Sequence, residues 1–290
     1  MNGGGVKGRA CIFGEVLFDH FPDGRRVLGG APFNVAWHLR AFGENPQLIS
    51  RVGEDDDGAT VRSHMQDWGM DMHGLQSDPR LPTGRVQVSI EDGEPSYDIV
   101  RPAAWDAIEA PADLPPRCAL LYHGSLALRS EPSRQTWQAL RQAGPAIVFV
   151  DVNLRPPWWN RERVLQDLRG AHWVKLNRDE LEQLAPGAAA ESFMASLGLR
   201  GLLLTEGSGG ARLLTADGAE FVTQPGGDVE VVDTVGAGDA LASVMILGLL
   251  RGWPLQSALD RAQAFASAIV GRRGATVRDP EFYAPFTDRF

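Results

Sequence analysis

Two cysteines in 290 residues, Cys11 and Cys118, are too few and too far apart for a disulfide framework, and no C-x-x-C pair occurs. They read as small buried hydrophobes of a reducing compartment. No apolar run approaches the ~20 residues that span a bilayer, and the glycine-rich N-terminus has no apolar signal core. A cytoplasmic protein with no membrane partner is expected. Positive charge is scarce too: a net charge of −9 leaves no basic stripe for nucleic acid. It does not forbid a nucleotide, because local N–H groups and a metal ion outweigh a mean negative field. The pattern G-x-x-x-x-G-K-[ST] is absent, which excludes a P-loop NTPase by motif. Gly3-x-Gly5-x-x-Gly8 matches the dinucleotide fingerprint only as a string. No strand precedes it and no helix follows it, so it reads as a terminal tail.

What remains is an ordinary globular composition, 43% hydrophobic, with length enough for one large core. The chain is organised around Val231-Val232-Asp233-Thr234-Val235-Gly236-Ala237-Gly238-Asp239-Ala240. Two β-branched residues before Asp233 predict the end of a strand, and the apolar run Ala240 to Leu250 predicts a buried helix. Between them Gly236, Ala237 and Gly238 place bare backbone N–H groups at a helix N-terminus, where orphan donors and the helix dipole favour an anion. Asp239 then stands in the first turn, a carboxylate beside an anion hole. It would repel a resting anion, which suits a group that takes a proton from an attacking hydroxyl. The same residues also fit a plain tight turn with a first-turn acid.

The longer string Asp-Thr-x-Gly-Ala-Gly-Asp resembles the C-terminal signature of the ribokinase-like sugar kinases of the phosphofructokinase-B type. Upstream, Gly14-Glu15-x-Leu17-x-Asp19 and Gly29-Gly30-Ala31-Pro32-x-Asn34 resemble the N-terminal signature of bacterial fructokinases, with Phe33 departing from the smaller residues common there. Ala10 to Asp19 reads as one nearly continuous buried strand with Asp19 emerging at its end. Paired glycines permit close approach of a ligand, and the Asn34 amide both donates and accepts. His38 reads as a packed helix histidine. Asp55-Asp56-Asp57 reads as the solvated start of a helix over Ala59–Trp68 rather than a metal site.

Thr83 to Ile90 and Ser96 to Val100 alternate around Glu91-Asp92-Gly93-Glu94, a hairpin with one apolar face. The resemblance implies that this hairpin and the segment near 18–30 form a small β-lid over the sugar, shared across a homodimer. Tyr97, Ile99 and Arg101 fit either that role or a plain hairpin. Strands ending near Ser125, Asp151, Asn177 and Thr205 alternate with helical stretches, which predicts a doubly wound, mostly parallel α/β sheet in one domain over residues 1–290.

Asp151-x-Asn153-x-Arg155 resembles a fructokinase motif, and Arg155 suits sugar or phosphate oxygens. Trp158 and Trp159 fit either packing or sugar stacking. Asn177-x-x-Glu180 resembles the motif that arranges Mg²⁺ through water, and it equally fits a helix capping box. Thr205-x-Gly207-x-x-Gly210 resembles a nucleotide loop, and Gly271–Ala275 the loop that closes the adenine and potassium sites.

The resemblance therefore implies an ATP-dependent sugar kinase. Asp239 is the base, with Gly236, Ala237 and Gly238 as the anion hole. Asp19, Gly29, Gly30, Asn34 and Arg155 hold the sugar. Lys175, Asn177, Thr205, Gly207, Gly210 and Gly238 serve ATP, Glu180 serves Mg²⁺ and Asp233 serves K⁺. Fructose is the first acceptor expected. A 2-keto-3-deoxy sugar acid, another ketose or a nucleoside are alternatives, as is a non-catalytic sugar or nucleotide sensor.

Overall fold

The computed structural model describes residues 6, 8–91, 94–111, 118–225 and 230–287. The expected tail, the Asp92-Gly93 hairpin tip and residues 112–117 lie outside them or nearly so. Strand β1, Arg9–Phe13, is buried on both faces: Ala10 and Ile12 join one core cluster, Cys11 and Phe13 another. It ends at Gly14, not at Asp19. Gly14 holds φ 148°, and a Cβ there would lie 2.5 Å from Pro32 Cγ. The expected single strand is therefore two. After the break the chain leaves the sheet and forms β2 (Leu17–His20) and β3 (Arg26–Gly29), which put Asp19 in the lid.

Helix α1 (Ala31–Ala41) follows, then β4 (Gln47–Gly53), α2 (Asp56–Asp67) and β5 (Leu75–Asp78). Asp55 caps α2 by accepting from Gly58 N at 2.8 Å and ties it to Thr83 Oγ1 at 2.6 Å, which is how the acidic run is used. Strands β6 (Gly84–Glu91) and β7 (Glu94–Ile99) complete the lid. Its order is β3-β2-β6-β7, with β2 parallel to β6 and the other pairs antiparallel.

The chain then returns as β8 (Cys118–His123), α3 (Glu131–Gln142), β9 (Ile147–Asp151), α4 (Arg161–Leu168), β10 (Trp173–Asn177), α5 (Arg178–Leu184), α6 (Ala190–Leu197) and β11 (Gly201–Thr205). An antiparallel edge, β12 (Ala211–Thr215) and β13 (Glu220–Thr223), precedes α7 (Ala237–Arg251), α8 (Leu255–Val270) and α9 (Pro280–Thr287). The sheet order is β13-β12-β11-β10-β9-β8-β1-β4-β5. Helices α1, α2, α7 and α8 cover one face, and α3 to α6 the other. This is the ribokinase-like α/β arrangement. The order reverses between β1 and β8, so the crevice outside their C-terminal ends is where such a sheet binds ligands.

One expectation fails near the organising stretch. Val231 and Val232 form no strand; they are 66% and 48% exposed. β-Branched residues favour a pleated, half-buried surface, and no sheet edge meets them here. The loop is held instead by Val232 N and Asp233 N, which both donate to Val270 O. Helix α7 is buried along its length, and Gly248 admits Ala258 of α8 so closely that a Cβ would sit 2.7 Å from it.

Candidate active site

Gly236 is the N-cap of α7 at φ 83°, where a Cβ would lie 2.4 Å from that of Ala275. Only glycine meets both conditions cheaply. The first-turn N–H groups of α7 have no intrahelical partners, although that of Ala237 makes a long contact of 3.4 Å to Thr234 O. Lys175, on β10, lies beneath them: its Nζ would stand 3.1 Å from a Cβ on Gly238. Its ammonium donates to both Asp151 oxygens at 2.9 and 2.8 Å. Burial works against that charge, but Asp151 outweighs it and holds the Lys175 pKa above its usual value. Lys175 is thus a buried cation held by Asp151 beneath the start of α7.

Asp239 reaches across to α1. Its Oδ2 accepts from Asn34 Nδ2 at 2.7 Å, joining residues 205 positions apart. Asn34 is 4% exposed and its Oδ1 has no partner, so one acceptor in the crevice stays open. Burial pushes the Asp239 carboxyl up to about 6; Asp151 adds to the rise, while the Asn34 amide, Lys175 and Arg155 restrain it. A carboxylate with a pKa near 6 is ionised at neutral pH and basic enough to take a proton.

Gly30 caps α1 at φ 106°, and a Cβ there would lie 2.7 Å from Glu15 O. Gly29 ends β3 just before it. Asp19 pairs with Val27 and Val86 in the lid, and burial raises its carboxyl to about 6 against the pull of Arg155. Arg155 is exposed on the loop after β9, and its guanidinium contacts Leu154 O at 3.4 Å. Its charge is felt by Asp19, Glu15 and Asp239 alike. Asn153, two residues earlier, carries φ 42°, a conformation asparagine tolerates better than most residues.

Glu15 was not among the sequence-derived site residues. It is 2% exposed, its Oε2 has no partner, and burial followed by the Asp239 charge raises it to about 7. The available signal was an acid interrupting an apolar run immediately after a glycine.

Thr205, Gly207 and Gly210 line a cavity of about 420 Å³ together with Ala237, Gly238 and Gln263. Gly210, at φ 90°, lets the loop pass so close to Thr223 that a Cβ would be 2.0 Å from its carbonyl oxygen. Asn177 and Glu180 do not line this cavity. They form the capping box of α5: Asn177 Oδ1 accepts from Glu180 N at 2.8 Å and Glu180 Oε2 from Asn177 N at 2.9 Å. Glu180 Oε1 accepts from Leu154 N at 2.8 Å, so both oxygens already serve backbone donors. Asp233 behaves alike, accepting from Val235 N and Gly274 N, each at 3.0 Å, and thereby clamps the Gly236 turn to the 271–275 loop. His38 is a core residue, bonded to Ala275 O and Tyr283. The Trp158 ring packs over Arg129, 4.6 Å from the guanidinium carbon.

Comparison with known proteins agrees with this geometry. The chain is 34% identical to a fructokinase of Klebsiella pneumoniae over 84% of this chain and 85% of the relative. It is 32% identical to the aminoimidazole riboside kinase of Salmonella typhimurium, over 94% and 92%. The crystal structure of aminoimidazole riboside kinase from Salmonella enterica, complexed with aminoimidazole riboside and an ATP analog, superposes with a TM-score of 0.82 at 30% identity, covering 97% of this chain and all of that one. The family profile described as pfkB family carbohydrate kinase matches residues 12–281, nearly the whole described fold. The chain accordingly belongs to the pfkB family of carbohydrate kinases.

Proposed function

We propose that the chain transfers the γ-phosphoryl group of ATP to a primary hydroxyl of fructose. The contact that carries the reading is Asn34 Nδ2 to Asp239 Oδ2, because it fixes one carboxylate between the open Asn34 Oδ1 and the start of α7. The acceptor hydroxyl gives its proton to Asp239 as its oxygen attacks the γ-phosphorus. The N–H groups of Gly236, Ala237 and Gly238 receive the charge on the transferring phosphoryl oxygens, and Lys175 adds a fixed positive charge beneath them. Asp19, Gly29, Gly30, Asn34 and Arg155 hold the sugar, and the cavity lined by Thr205, Gly207 and Gly210 takes the nucleotide.

No cluster of three or more acidic, histidine or cysteine side chains able to cage a metal occurs among the described residues. Mg²⁺ bound chiefly by nucleotide phosphates and waters, as this ion prefers, would need no such cluster. Glu180 then acts through those waters, its two oxygens being tied to backbone N–H groups. The ion would neutralise charge on the phosphates. For K⁺, Asp233 serves as the clamp that shapes the surrounding carbonyls. The exposed Tyr97 on edge strand β7 supports a homodimer joined through the lid, which light scattering on Tyr97→Glu would test.

A second acceptor is favoured by the likeness to aminoimidazole riboside kinase, which points to a riboside. A non-catalytic sensor has no use for a base held at 2.7 Å beside an anion hole. A coupled ADP-release assay across fructose, aminoimidazole riboside, other ketoses and a 2-keto-3-deoxy sugar acid separates these readings. Fructose should give the highest kcat/KM, and ADP release with none of them would overturn the proposal.

A further inference from the structure

A second hollow, about 220 Å³, lies where the chain leaves β8 and β9. Its lining includes Arg129, Arg134, Trp158, Asn160, Arg163 and Asp167 and shares no residue with the nucleotide cavity. Two of these side chains carry buried donors without partners: Arg129 Nη1 and Trp158 Nε1. The Arg129 side chain is 2% exposed. Its Nε and Nη2 are committed to Asp106 at 2.8 and 2.9 Å, and the Trp105 and Trp158 rings cover its faces at 3.9 and 4.6 Å. Rings satisfy the faces of a guanidinium, not its in-plane N–H groups. Trp105 and Trp137 also carry unpartnered indoles, but neither lines this hollow.

Buried polar groups are nearly always paired, and an orphan calls for an unseen partner. Here the orphans are all donors; no lining residue offers an unpartnered buried acceptor. Arg134 is neutralised by Asp167 through two bonds of 2.6 and 2.7 Å. Arg163, by contrast, is 46% exposed and, among the described residues, its side chain meets Glu131 at 3.4 Å. Asn160 caps α4, so the start of that helix adds oriented N–H groups at the same rim.

We propose that this hollow is an oxyanion site that takes one phosphate-sized group, held by Trp158 Nε1, Arg129 Nη1, Arg163 and the N-terminus of α4. The occupant is inorganic phosphate or the phosphate group of a phosphorylated sugar. Trp158 lies three residues after Arg155, so a bound oxyanion pins the loop that also carries that arginine. The site stands independently of the acceptor assigned above.

The test follows the indole N–H signals of the eight tryptophans by ¹H–¹⁵N spectroscopy, with Trp158 assigned by its loss in Trp158→Phe, which keeps an aromatic ring but not the indole N–H. Titration with inorganic phosphate should move the Trp158 signal saturably, with dissociation near 1 mM or tighter. Arg163→Gln should weaken that response roughly tenfold or more, as loss of a charged hydrogen bond does. Phosphate bound only at the start of α7 would be indifferent to Arg163→Gln. That result overturns the proposal, as does a shift matched by chloride at equal ionic strength or an unmoved signal. A hexose phosphate that saturates at lower concentration than inorganic phosphate identifies the phosphorylated sugar as the source. The reverse order identifies the free ion.

Discussion

Replacing Asp239 by Asn tests the catalytic reading most directly. The change is isosteric, and the new amide oxygen can still accept from Asn34 Nδ2 at the 2.7 Å separation seen for the carboxylate. What is lost is the charge and the proton affinity. Loss of a general base typically costs about 10²–10⁴ in rate, roughly 3–5.5 kcal/mol of barrier. A coupled ADP-release assay at saturating sugar and ATP measures kcat, and calorimetry measures ATP binding. We expect kcat to fall within that range, with ATP binding retained or slightly tighter. The wild-type rate should drop as pH is lowered through about 6, where Asp239 becomes protonated, and the variant should lack this limb. A raised native pKa also means that the ionised form costs stability near neutrality, so Asp239→Asn should melt no lower than wild type. Near-full kcat in a folded variant would refute the assignment.

Glu15→Gln tests the buried acid. Its native value of about 7 against 4.5 unfolded means the folded protein binds the extra proton between those limits. Stability then declines as pH rises through that window, and the variant should recover about 2–4 kcal/mol at pH 8, read by denaturant titration; equal pH slopes in the two proteins would exclude it. Asp19→Ala should lower sugar kcat/KM about 10²–10⁴-fold, since a carboxylate accepting from two hydroxyls is lost, with ATP affinity unchanged; a matching loss of ATP affinity would remove Asp19 from the sugar site. Gly236→Ala forces a Cβ to 2.4 Å from Ala275 in a left-handed backbone, so nucleotide binding should weaken at least tenfold and melting should drop. Activity in K⁺ should exceed that in Na⁺ at matched ionic strength; equal rates would leave Asp233 as a clamp alone.

Local chemistry was legible where a short string fully determines its own geometry. Gly236 to Asp239 at a helix start, the Asn177–Glu180 box and the buried α7 each follow from bonds made within a few residues. Reading failed where a distant partner decides. Gly14 sits in a run that looks like one strand, and only Pro32 pressing on it shows why the chain must turn away. Val231 and Val232 have the composition of a strand but no edge to pair with. Nothing near Lys175 in the sequence shows that Asp151, 24 residues earlier, holds both its charge and its position. The Asn34–Asp239 contact spans most of the chain; each residue was named from its own motif, yet nothing local joins them. The environment of Glu15 comes from Asp239, Arg155 and Arg129, all distant in sequence.

The connection between β3 and α1 has a consequence for timing. The lid strand ends at Gly29, Gly30 turns the chain, and Asn34 lies one turn further on, gripping the base. No loop intervenes to absorb movement. On the proposed reading, a displacement of the lid by an arriving sugar would be transmitted within a few residues to the side chain that holds Asp239, an interlock between the acceptor's arrival and the arming of the base. Water, too small to draw the lid down, would leave such an interlock open, and ATP would be guarded against futile hydrolysis; background ATP turnover without sugar is the quantity in which that protection would be read.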